Sequence, residues 1–154
     1  MSNPHGQSSY QVRFDWGPAG AETICDGAHV LVWVDQLGGA ETMVASSIDL
    51  MRVTLEEAAD VAAFALRRQT ELGGRCVIAV VAAGANRADG SLRFAVEDLL
   101  AAGAIIEAIG AVGIDHQSPE AAAAASAYSG LKNATRHLIS ASASSREERE
   151  SSGA

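Results

Sequence analysis

Two short runs in this 154-residue chain are apolar at nearly every position. Residues 29–34 carry Val30, Leu31, Val32, Trp33 and Val34 in succession, and residues 76–83 run from Cys76 through Val80 and Val81 to Ala83. A strand with one wet face alternates apolar and polar residues, whereas an unbroken run needs cover on both faces, as in parallel sheets between helices. Helical signals separate the runs. Thr54 and Glu57 have capping-box spacing, and Ala58, Val61, Ala62, Ala65 and Leu66 form an apolar stripe, so a helix is predicted over 55–72, ended by Gly73 and Gly74. Residues 94–109 predict a helix apolar nearly all round and therefore buried. Ser118, Pro119 and Glu120 supply the cap, N1 proline and early acid of another helix, which Gly130 breaks before a last helix over 131–139. Upstream, Tyr10, Val12, Phe14 and Trp16 alternate with Gln11, Arg13 and Asp15, predicting a half-buried strand that Gly17 and Pro18 stop. Strands alternating with helices give an α/β fold, three-layer α/β/α with a mixed, largely parallel sheet.

A hydrophobic fraction of 48% over this length buries one ordinary core, so a single domain is expected over residues 10–140. Residues 1–9 are expected to be a flexible N-terminus and 141–154 a flexible tail, because Arg146, Glu147, Glu148, Arg149 and Glu150 bring too little apolar surface to offset ordering. The formal net charge of −8 argues against nucleic acid or an anionic membrane surface as partner. No apolar run has the length of a bilayer span, and no basic segment leads into an apolar one at the N-terminus. Cys25 and Cys76 are too few and too isolated for a disulfide framework or a structural zinc site, which points to a reducing, cytoplasmic setting with both as small hydrophobes.

Chemistry concentrates where the second apolar run ends. Residues 82–104 leave the strand, pass Gly84, Arg87, Asp89, Gly90, Ser91 and Arg93, and open a helix whose first turns carry Glu97 and Asp98. Asp35 follows the first run and precedes Gly38 and Gly39. If the two strands are neighbours, Asp35 and the 83–91 loop share one rim of the sheet, the rim where ligands of α/β folds gather at free N–H groups and helix N-termini. Dinucleotide binding is disfavoured, since Gly84 to Gly90 lacks the G-x-G-x-x-G spacing. His29, His116 beside Asp115, and His137 have no metal-ligand spacing, and Trp16 and Trp33 read as core.

These segments resemble the 2-phosphosulfolactate phosphatases of the ComB type. The resemblance is carried by Asp89-Gly90-Ser91-Leu92-Arg93, by Val96-Glu97-Asp98-Leu99-Leu100-Ala101-Ala102-Gly103-Ala104-Ile105 and by Ser118-Pro119-Glu120-Ala121. Further matches are Gln11 to Gly17 and Val32-Trp33-Val34-Asp35-Gln36-Leu37, about half the chain in all. It implies a magnesium-dependent phosphatase acting on a small phosphorylated, sulfonated acid, in an α/β/α fold that forms homodimers or other homo-oligomers. The chain departs from the family pattern in three places. Gly38, Gly39, Ala40 and Glu41 stand where the family has a basic or hydroxyl-bearing loop, the middle segment with its Asn-Gly loop is absent, and the family's closing segment is missing.

Hydrolysis of a phosphate monoester needs charge neutralisation on the phosphoryl oxygens and a positioned nucleophile. The resemblance makes Asp35, Glu97 and Asp98 the candidate ligands of Mg2+, with Asp35 and Asp98 as catalytic carboxylates. Gly84, Arg87, Ser91 and Arg93 are candidate contacts to the anionic substrate. Each has a plainer reading: Glu97 and Asp98 as acids favoured by a helix dipole, Asp35 as a turn residue, the arginines as solvated surface, Ser91 as a helix cap. Adjacent helical residues also diverge by about 100°, so Glu97 and Asp98 do not both face one pocket on a regular helix. Two functions follow: a magnesium-dependent phosphatase, or a catalytically inactive relative that binds a small anion or a protein partner. Loss of the middle segment is expected to leave sheet edges that a second copy covers.

Overall fold

The two apolar runs lie side by side at the centre of a four-stranded sheet. In the computed structural model, which describes residues 3–39 and 48–153, the strands are Val12–Trp16 (β1), Val30–Val34 (β2), Asp49–Val53 (β3) and Ile78–Ala82 (β4), in the order β1-β4-β2-β3. Every pairing in this sheet is parallel, with Val34 and Trp16 both opposite Ala82. The antiparallel component expected of a mixed sheet is confined to a separate hairpin, Ala85–Asn86 (β5) with Leu92–Arg93 (β6). Helices Gly17–Ile24 (α1), Ala58–Leu72 (α2), Val96–Ala111 (α3), Pro119–Leu131 (α4), Thr135–Ala141 (α5) and Ala143–Gly153 (α6) complete the described chain. None is long and apolar enough to cross a membrane.

Alternate residues of the buried strands feed two cores. Val12, Phe14, Val32, Ile78 and Val80 pack beneath Ile105, Ile106 and Ile109 of α3, Val61 and Ala65 of α2, and Ala121 and Ala124 of α4. On the other face Leu31, Trp33, Ala79 and Val81 pack beneath Ala21 and Ile24 of α1. The result is the three-layer α/β/α arrangement, with the apolar runs enclosed as their composition requires.

Local signals behave as their chemistry dictates. The Glu57 carboxylate accepts the Thr54 N–H at 2.7 Å, Gly73 ends α2 with φ +67°, and Ser118 Oγ accepts the Ala121 N–H at 3.0 Å. Gly130 does not break α4, which continues to Leu131, and the next helix starts at Thr135 after a 3-10 turn over Lys132–Ala134. One glycine without a left-handed φ costs a helix only about 1 kcal/mol, too little to end it. Helix α1 follows β1 directly, so Gly17 and Pro18 stop the strand by opening a helix.

Both tails differ from expectation. The Gln7 side-chain amide donates to Phe14 O at 2.8 Å and accepts from Phe14 N at 2.9 Å, pairing with edge strand β1 as a further strand would. Downstream, Gln117 bridges to Val12 on the same edge. Residues 3–9 are therefore built into the domain. At the other end, Ser142 Oγ accepts from Ser145 N, and Arg149 Nη1 donates to Ser140 O at 2.9 Å, which caps and braces α6 where a loose tail is predicted. Residues 1, 2 and 154 of the predicted tails, and Ala40 and Glu41 of the divergent loop, lie outside the described residues.

Arg13, on the polar side of the predicted strand, is also enclosed. Its guanidinium donates to Ile24 O at 2.9 Å and to Asp26 O at 2.6 Å, holding carbonyls at the C-terminal end of α1, where a cation opposes the helix dipole. Burial lowers its pKa, with Asp26 acting in the opposite direction. Gln7→Ala is expected to lower stability by about 1–3 kcal/mol, because it strands a buried donor and a buried acceptor on β1. An unchanged urea midpoint would contradict this role for the amide.

Candidate functional site

The sequence places Asp35 and the 83–91 loop on one rim if their strands are neighbours, and β2 and β4 are neighbours. Ala83 N donates to Val34 O at 2.8 Å, so the two chains leave the sheet together. Helix α3 starts against this rim. Its N-cap, Ala95, offers no side-chain oxygen, and the acids Glu97 and Asp98 occupy its first turn, 3% and 2% exposed.

Asp98 joins the strand ends. Its Oδ1 accepts the Gln36 N–H at 2.8 Å, just beyond β2, and its Oδ2 accepts the Gly84 N–H at 2.9 Å, just beyond β4. One carboxylate thus ties two strand exits to the start of α3. Burial pushes its pKa up to about 7, and the negative charges of Asp35 and Glu97 push the same way, against the two N–H groups that favour the ionised form. Gln36 extends the clamp, its Oε1 accepting the Leu55 N–H at 2.7 Å ahead of α2. Asp35 Oδ1 accepts the Gly38 N–H at 3.0 Å in a tight turn.

This geometry bears on the magnesium expectation. A Mg2+ ion takes near-octahedral oxygen ligands at about 2.0–2.1 Å, and each Asp98 oxygen already accepts one main-chain N–H, which leaves one lone pair on each. Among the described residues no three His, Cys, Asp or Glu side chains group as metal ligands. Asp98 as placed is a clamp between the two strand exits and the start of α3.

The candidate substrate contacts lie on the hairpin. Gly84, with φ +73°, brings the hairpin back over the strand ends: a Cβ there would come within 2.7 Å of Leu92 Cδ1. Leu92 Cδ1 also sits 3.1 Å from where a Cβ on Gly17 would be, so this side chain covers the adjoining ends of β1 and β4. Ser91 is not a helix cap, because α3 begins at Val96. Its hydroxyl donates to Asp89 Oδ1 at 2.6 Å inside the turn and, with the Ser91 N–H, lowers the pKa of Asp89. Arg87 Nη1 donates to Leu92 O at 2.9 Å across the hairpin.

Arg87 and Arg93 line one depression of about 520 Å³ with Asn86. Arg146 of α6 lines its far wall beside Glu147 and Glu150, a contribution that sequence spacing could not reveal. Close ion pairs among the described residues involve Arg68 and Lys132 only, so none of these three arginines is in one, although Glu147 and Glu150 share the depression. The histidines stay outside the site: His29 Nδ1 accepts the Val77 N–H at 2.9 Å, and His116 packs on Tyr10. Trp33 is core. Trp16 is half-buried and packs against the core from its margin, its ring 5.3 Å from that of Phe94. No family model, curated protein or solved structure matches this chain.

Proposed function

We propose that the protein binds a small phosphorylated or sulfonated acid in the depression between the β5–β6 hairpin and α6, as a ComB-like anion-binding module. The observation that carries this reading is the gathering of Arg87, Arg93 and Arg146 on one concavity, in a chain with 19 acidic against 11 basic residues. Guanidinium groups suit phosphate and sulfonate because their paired donors match two oxygens at once. Arg87 is held by its bond to Leu92 O, so part of the ordering cost of binding is met before the anion arrives. Glu147 and Glu150 set a counter-charge on the far wall, which favours a guest whose charge is concentrated at the hairpin end.

Calorimetric titration with inorganic phosphate and with O-phospholactate tests the proposal. Saturable binding that weakens at least about tenfold in Arg93→Ala is expected, the order of one charge-assisted contact. Equal binding by wild type and Arg93→Ala would remove it.

Magnesium-dependent hydrolysis of the same acid is the second reading, favoured by one feature. Asp35, Glu97 and Asp98 gather at the rim where β2 and β4 end, close enough for the charges of Asp35 and Glu97 to act on Asp98. Phosphate release that needs added Mg2+, stops with EDTA and falls at least about a hundredfold in Asp35→Asn would establish it, since general catalysis alone contributes about that factor. Release at the buffer rate in all conditions leaves binding without turnover.

A further inference from the structure

A second concavity lies at the C-terminal end of β1, apart from the hairpin arginines. Phe14 and Trp16 of β1, Phe94 ahead of α3 and Leu99 within it enclose about 380 Å³, within the range of small-molecule pockets. Phe14 and Trp16 meet edge to face at 74° with centroids 5.8 Å apart, and Phe94 closes on Trp16 at 5.3 Å and 42°. Phe94 is nonetheless 61% exposed, the most exposed large hydrophobic residue in the described chain. Its ring lines the pocket mouth beside Trp16, where a guest would reach it.

The polar part of the same wall is acidic. Asp15 and Glu120 both line the cavity, and His5 is its one residue able to carry positive charge. Asp15 Oδ1 accepts the main-chain N–H of Trp16 at 2.7 Å, and the Asp15 side chain lies against Gly20 of α1, so Glu120 is the carboxylate on the aromatic side of the strand. Glu120 sits in the first turn of α4, where its full negative charge outweighs the roughly half positive charge of the helix N-terminus. Aromatic faces and carboxylates converge on one kind of guest. Ring faces are electron-rich and attract cations, the carboxylates add Coulomb attraction, and the net charge of −8 favours cation approach.

We infer that the pocket formed by Phe14, Trp16, Phe94 and Leu99, with Asp15 and Glu120, binds a small organic cation of the amine or quaternary ammonium class. The inference is independent of anion binding at the hairpin. Trp33 is buried on the other side of the sheet, so Trp16 fluorescence reports on occupancy.

The experiment titrates the full chain with choline and with its uncharged carbon isostere, in which a tert-butyl group replaces trimethylammonium. Saturable Trp16 quenching by choline is expected, with the isostere binding about tenfold more weakly because it lacks the charge. Phe94→Ala, an exposed position whose loss leaves the core intact, and Glu120→Gln should each weaken choline binding several-fold while circular dichroism stays unchanged. Absence of saturation, equal affinity for choline and isostere, or choline binding untouched by both substitutions would each overturn the assignment.

Discussion

Gly103→Ala is expected to lower stability by about 3 kcal/mol, near the upper end of ordinary overpacking costs. A Cβ at residue 103 would lie 2.2 Å from Ala124 O, 2.7 Å from Tyr128 Cβ and 3.0 Å from Ala124 C. The obstruction is main chain of α4, which cannot swing aside as the tip of a long side chain would. Relief requires α3 and α4 to separate, and α4 carries Ala121 and Ala124 into the core over the sheet. Thermal unfolding should fall by roughly 10 °C for a chain of this size. Gly130→Ala in the same helix α4 provides the contrast, since nothing lies within 4 Å of its added methyl and alanine is the better helix former. That variant should gain about 0.5–1 kcal/mol. Equal, small effects at both positions would show that the helices are not in the close contact described.

The pH dependence of stability should carry the signature of Asp98. Its carboxyl rises from 3.8 to about 7 on folding, so between these values the native state holds a proton that the unfolded chain has released. Stabilisation is then complete below about pH 4, declines as pH rises toward 7, and changes no further from this group above that. The difference amounts to at most about 4 kcal/mol across the window. Asp98→Asn removes the titration and should flatten the profile between pH 4 and 7. It should also cost about 1–3 kcal/mol at low pH, because an amide cannot accept from both Gln36 N and Gly84 N. Denaturant midpoints across that window decide the matter. Were wild-type stability to rise with pH between 2 and 4 instead, the two N–H donors would dominate over burial, and Asp98 would be ionised at neutral pH.

What the sequence made legible is what a few neighbouring residues decide. The unbroken apolar runs require cover on both faces, and Thr54, Glu57, Gly73 and Ser118 act on N–H and C=O groups within a turn of themselves. Strand β3 carries no such mark. Asp49, Leu50, Met51, Arg52 and Val53 do not alternate, and only Val53 is buried, so this edge strand is set by its neighbour β2. Helix α1 is hidden by Gly17 and Gly20. A Cβ at Gly20 would come within 3.0 Å of the Asp15 side chain, so the second glycine answers to tertiary packing rather than to helix propensity.

The candidate site divides along the same line. Asp35, Glu97 and Asp98 are recognisable as acids at the right rim, yet the partners of Asp98 are N–H groups of Gln36 and Gly84, which no spacing announces. Arg87 and Arg93 are close in sequence and share a surface. Arg146 joins them only because α6 exists, in a segment too polar to predict ordered structure from local cues.

The strand order has a kinetic consequence. Val12 of β1 finds its partner in Ile78 of β4, and β4 must slot between β1 and β2 before either central pairing exists. During synthesis β1 leaves the ribosome well before β4 and waits for that partner, holding Phe14 and Trp16 in water while the residues between the two strands are made. Long-range parallel pairing of this kind slows folding and prolongs exposure of sticky intermediates. The early arrival of Gln7 on the same strand would shield one edge of it during that wait.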